Sequence, residues 1–136
     1  MFKKVVLLLT VFLMFSACSC SQYKKDLKTR IKQGTEYKLI SFSKLKIAVP
    51  KKANISFSDG MYTGYAGCNG MSGKYEVDAE KIKFHSGIST MMACDDMALE
   101  TMFRQKLESV NNYVVKDGFV IFRKDKLEVL KFKEDN

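Results

Sequence analysis

The chain has 136 residues, 46% of them hydrophobic, with 23 Lys+Arg against 15 Asp+Glu and a formal charge of +8. That length allows one domain and hardly more. The surplus of positive charge is modest and no basic-aromatic motif accompanies it, which disfavours nucleic-acid binding.

The chain opens MFKKVVLLLTVFLMFSACSC: Lys3 and Lys4, an almost unbroken apolar run from Val5 to Phe15, then small residues. Charged, apolar, small is the order of a secretory signal. The run is too short for an ordinary membrane span, which needs ~20 apolar residues. Phe15 to Cys18, FSAC, resembles a bacterial lipobox, with Phe15 where Leu is usual. The resemblance implies cleavage before Cys18 and lipid on its thiol and its new amine. Residues 1–17 are then a cleaved signal, 18–34 a lipid-anchored tether and 35–136 the folded domain. The tether stretch YKKDLKTRIKQ sets Lys24, Lys25, Lys28, Arg30 and Lys32 against Asp26 alone. Tyr23, Leu27 and Ile31 recur every fourth residue, so a basic helix on anionic headgroups is one reading. A solvated linker is the favoured one.

From Glu36 on, alternation dominates. EYKLIS and SKLKIAV alternate apolar and polar residues as half-buried strands do, and Pro50 falls in the loop that follows. NISFSDGMYTGY places Asp59-Gly60 between two such runs, a strong hairpin cue. GKYEVDAEKIKFH reads as a second hairpin turning at Asp78–Glu80. YVVKDGFVIFRKDKLEVLKF repeats the pattern with turns at Asp117-Gly118 and Lys124–Lys126. Only CDDMALETMFRQKLESVNNY breaks the alternation. Leu99, Met102, Phe103, Leu107 and Val110 recur there at helical spacing, with Asp95 or Asp96 as the expected N-cap and Glu100 in the first turn. The expected fold is mainly β, an α+β arrangement. It is a small curved antiparallel sheet or partly closed barrel with one amphipathic helix packed on it.

Between the first two hairpins lies TGYAGCNGMSGKY, with Gly64, Gly67, Gly70 and Gly73 at every third position. It is not a phosphate-binding P-loop, because no Gly-Lys-Ser/Thr follows and the context is strand to strand. Such glycines supply positive φ or close backbone approach, and Asn69 tolerates similar backbone and can bond its neighbours.

Two stretches carry a family resemblance. GYAGCNGMSGKYEV, with Gly67, Cys68, Asn69, Gly73 and Tyr75, and ISTMMACDDMALETMFRQKL, with Thr90, Met92, Ala93, Cys94, Glu100 and Phe103, resemble the META domain of HslJ-like lipoproteins. The resemblance runs from about Thr35 to Phe132. The sequence departs from the family pattern at Met91 and Gly70, where basic residues are usual, and it has no Trp. The resemblance implies a compact β-rich domain with a helix, no established catalytic activity and an association with heat shock.

In an oxidising compartment two cysteines of a small domain most often pair, and Cys68–Cys94 is the expected disulfide. Cys94 lies 26 residues after Cys68, a loop whose closure stabilises by about 3.6 kcal/mol in the chain-entropy model. Cys20, beside the lipid anchor, is left unpaired. The alternatives are weaker. A cysteine nucleophile needs a base, and the lone histidine, His85, sits at a strand end with no acid-bearing motif. Zinc sites bring cysteines in close pairs, but Cys68 and Cys94 are far apart in sequence and the close pair Cys18 and Cys20 is consumed by lipidation. Met71, Met91 and Met92 could hold Cu(I) with a thiolate, but methionine is a common core filler. No cofactor, metal or catalytic residue is expected. The expected function is that of a bacterial envelope lipoprotein, held to the membrane by its N-terminal lipid, on the outer membrane if the cell is Gram-negative. It would act without catalysis, as a binding or stress-related structural module. A peptide- or protein-binding inhibitor or chaperone-like module is the first alternative, and a thiol redox or hydrolytic enzyme using Cys68 or Cys94 the second.

Overall fold

The computed structural model describes residues 30–43, 48–95 and 97–135. The signal, Cys18, Cys20 and the tether up to residue 29 lie outside the described residues. So do residues 44–47 of the expected strand Ser43–Val49, of which Ala48 and Val49 are not in a strand.

Nine strands form one sheet: β1 (Glu36–Phe42), β2 (Asn54–Ser58), β3 (Met61–Tyr65), β4 (Gly70–Asp78), β5 (Lys81–Phe84), β6 (Ile88–Ser89), β7 (Asn112–Lys116), β8 (Phe119–Lys124) and β9 (Leu127–Glu134). A helix, α1 (Ala98–Glu108), lies between β6 and β7. The order is β3-β2-β1-β9-β8-β7-β5-β4, and β4 pairs back onto β3, so the sheet curls into a ring. Every pairing is antiparallel. The ring is uneven. β8 and β9 share six registered pairs, whereas β5 and β7 meet at Lys81↔Asn112 alone, helped by the Tyr113 amide donating to the Glu80 carbonyl at 2.9 Å.

Local chemistry explains the turns. Asp59-Gly60 and Asp117-Gly118 have positive φ at both residues, the type I′ geometry that joins twisted strands by two residues. β1 breaks its alternation between Leu39 and Ser41 through a register shift against β9. That shift exposes Ile40 and still buries Phe42, as a bulge does by adding one residue to one strand.

Alternating inward residues fill the ring. Phe57, Tyr62, Tyr75, Phe84, Phe122 and Phe132 meet largely edge to face, with centroids 5.0–6.3 Å apart, the arrangement ring quadrupoles favour. The helix turns Phe103 and Leu107 inward, and Phe103 packs on Phe42 and Phe132. Met97 takes the N-cap position without a capping bond from its own side chain, and Asp96, one of the two expected caps, lies outside the described residues.

Residues 30–34 already pack on the domain. Ile31 is buried, the Lys32 amide donates to the Tyr37 hydroxyl at 2.8 Å, Gln33 Nε2 donates to the Tyr75 hydroxyl at 2.9 Å, and the Gly34 amide donates to the Phe57 carbonyl at 2.8 Å.

Candidate functional site

The glycine stretch is the connection between β3 and β4. One of its glycines is required by packing, and a second sits in tight contact. A Cβ on Gly73 would lie 2.7 Å from Tyr62 Cε1, so glycine lets the Tyr62 ring lie across β4. At Gly64 a Cβ would meet Phe103 and Met71 at 3.3 Å, and the bare backbone lets the helix seat its aromatic. Gly67 has φ +149°, a backbone that side chains rarely adopt. Nothing crowds Gly70, and the structure gives no steric reason for glycine there.

Cys68 and Cys94 are joined as a disulfide, with Cα atoms 6.5 Å apart, within the span that the geometry tolerates. The bond ties the β3–β4 connection to the segment entering α1. Neither sulfur is then a free nucleophile or metal ligand. His85 lies elsewhere, its Nε2 3.0 Å from Glu76 on the exposed face of β4.

Asn69 is the centre of the cluster. It is fully buried and uses its backbone N–H and both polar atoms of its side chain. Its backbone N–H donates to Glu100 Oε2 at 2.8 Å. Its Oδ1 accepts from the Met92 amide and from the Thr90 hydroxyl, both at 2.8 Å. Its Nδ2 reaches the Met92 carbonyl at 3.3 Å and Met97 Sδ at 3.6 Å. Thr90 Oγ1 also accepts from the Gly70 amide at 3.2 Å. A buried amide is stable only when so satisfied. Glu100 stands in the first turn of α1 as expected, and it also turns inward and is itself buried.

Thus the structure brings Cys68, Asn69, Thr90, Met92, Cys94 and Glu100 into one clasp joining the β3–β4 connection, the strand β6 and α1. Gly73 packs under Tyr62 and Phe103 belongs to the core beside it, whereas Tyr75 lies toward the Asp59-Gly60 turn, where its hydroxyl accepts from Gln33. Ala93 is exposed and lines the groove beside the clasp.

The clasp presents an apolar rim. Ile88 is 81% exposed, Met91 97% and Met92 57%, with Met97 next to them. Met91, Met92 and Met97 line a groove of about 450 Å³ together with Thr90, Ala93, Glu100, Thr101 and Arg104. β6 pairs with Met71 and Ser72 of β4 and ends the strand order, so its other edge is open among the described residues. Gly87 permits this approach, since a Cβ there would lie 2.0 Å from the Ser72 carbonyl oxygen. The sequence reading missed the rim. Four methionines within residues 91–102 were its signal, and core filling was the competing reading.

Two solved structures share the fold. One is the NMR structure of a protein from Burkholderia xenovorans, 19% identical, with TM-score 0.62 over 76% of this chain and 83% of that one. The other is the crystal structure of a DUF4847 family protein from Bacteroides vulgatus ATCC 8482, 13% identical, with TM-score 0.56 over 74% of this chain and 92% of that one. No curated protein matches the chain. The META domain model matches residues 29–136, so the clasp and the curled sheet that carries it are those of a chain that belongs to the META domain family.

Proposed function

We propose that this chain is a non-enzymatic binding module of the bacterial envelope, anchored by lipid at Cys18, whose rim at β6 and α1 receives an extended apolar segment of a protein. The observation that carries the reading is the exposed ridge of Ile88, Met91 and Met92 beside an open strand edge. An open edge offers backbone hydrogen bonds to an added strand, and apolar side chains beside it select its residues. Methionine suits such a surface because its thioether is flexible and adapts to varied partners. The motif side chains support the reading indirectly: their polar groups are consumed in holding the clasp, which keeps the rim in place.

The test is fluorescence anisotropy with a fluorescein-labelled peptide of alternating Ile and Thr. Saturable binding is expected, weakened about tenfold or more by Met91→Asp with Met92→Asp, since each buried apolar side chain contributes roughly 1.5–3 kcal/mol. Unchanged affinity in that variant, or no saturable binding to the unaltered chain, refutes the assignment. Anchoring is tested separately. Cys18→Ala should release the protein from membranes and abolish acyl incorporation, and a variant that stays membrane-bound and acylated contradicts it.

A further inference from the structure

The chain holds eight methionines, and four of them fall between Met91 and Met102. The structure sorts the described ones by access. Met91 is 97% and Met92 57% exposed, Met61 and Met97 are 39% exposed, and Met71 is 5% exposed. Met102 is partly buried against the core. Because Cys68 and Cys94 are already joined, the oxidisable sulfur displayed by this end of the domain is thioether sulfur.

We infer that Met91 and Met92 are a methionine-oxidation site, through which a peroxide or hypohalous acid converts the apolar rim into a polar one. With hydrogen peroxide, the thioether sulfur attacks one peroxide oxygen and the O–O bond breaks. A sulfoxide and a molecule of water result; sulfur gives up two electrons and the peroxide takes them. The product is polar and chiral, and a methionine sulfoxide reductase can reverse it. The reaction places two S=O dipoles on the ridge, while the Asn69 bonds to Met92 run through its backbone and survive. The clasp therefore stays closed while its surface changes character. Met97 differs from its neighbours. Its sulfur accepts from Asn69 Nδ2 at 3.6 Å, which occupies a lone pair, so it reacts more slowly than Met61 at the same exposure. The consequence for binding rests on the peptide-binding reading; the oxidation site itself does not.

The full chain is treated with limiting hydrogen peroxide, and oxygen uptake at each methionine is followed by peptide mass spectrometry. Met91 should react first and Met92 next, with Met91 about tenfold or more ahead of Met71, since susceptibility follows exposure. Met71 keeping pace with Met91, or Met61 running ahead of it, overturns the site. Anisotropy with the Ile/Thr peptide is then compared before and after peroxide. Treated wild type should lose affinity about tenfold as an apolar contact becomes polar, while the Met91→Leu, Met92→Leu pair holds its affinity. Wild type that carries both sulfoxides and binds as before overturns the switch. Failure of the untreated chain to bind the peptide defeats the binding reading instead, and the order of oxidation then decides the site alone.

Discussion

The two ends of β3 are closed by different means. At its C-terminal end the Asn69 clasp combines a disulfide with a buried amide whose partners lie 21 to 31 residues away. At its N-terminal end, beside the Asp59-Gly60 turn, the closure is a short plug. Ile31 is inserted among core side chains, and Gln33 and the Lys32 amide bond to tyrosine hydroxyls. Ion pairs Arg30–Glu80 at 3.3 Å and Lys32–Glu134 at 2.6 Å rim it, but both are exposed and contribute little. The clasp depends on particular residues with directional bonds; the plug depends on one apolar side chain.

The contrast is broken most severely at the disulfide. Replacing Cys68 and Cys94 by Ser should lower stability by about 3.6 kcal/mol, read as a fall in the urea midpoint. Asn69→Leu comes next, at roughly 3 kcal/mol, because the Met92 amide and the Thr90 hydroxyl lose the acceptor they share in part-buried bonds. Ile31→Ala should cost about 2 kcal/mol, near the low end for a buried Ile, since the plug lies near a chain end of the described domain. A cost at Ile31 equal to that at Asn69 would erase the proposed difference between the ends.

Smaller effects involve the tyrosines. Burial, the largest cause, pushes Tyr37, Tyr62 and Tyr113 above the ordinary value of 10.0. The folded state therefore holds these protons after the unfolded chain releases them. Their contribution is complete below pH 10.0 and declines above it. Urea midpoints measured from pH 8 upward should stay level and then fall past about pH 10; a midpoint that rises there contradicts the burial of these hydroxyls. The Tyr113 hydroxyl is buried without a partner among the described residues. Tyr113→Phe should therefore be neutral or stabilising by up to about 1 kcal/mol, unlike most losses of a buried polar group. A loss above that amount would reveal a partner for the hydroxyl.

Much of this fold was legible in the chain. The Asp-Gly hairpins read correctly because left-handed backbone at two adjacent residues is chemically selective. The helix read correctly because Leu99, Phe103 and Leu107 recur on one face. Ile31 did not, since basic neighbours made its stretch resemble a linker and its burial depends on the open end of the ring. Asn69 was read as a local turn former, yet positive φ is not found there among the described residues. Its partners are brought by the β4–β6 pairing, which no local pattern encodes. The disulfide was legible from compartment chemistry, but its alliance with Asn69 and Glu100 was not.

Hydrogen–deuterium exchange of individual backbone amides tests the clasp most directly. In the native chain the Asn69 and Met92 amides should be as protected as those of β8 and β9, and in Asn69→Leu the Met92 amide should exchange at least tenfold faster while β8 and β9 keep their protection. A Met92 amide that exchanges freely in the native chain, or is indifferent to the substitution, would contradict the account.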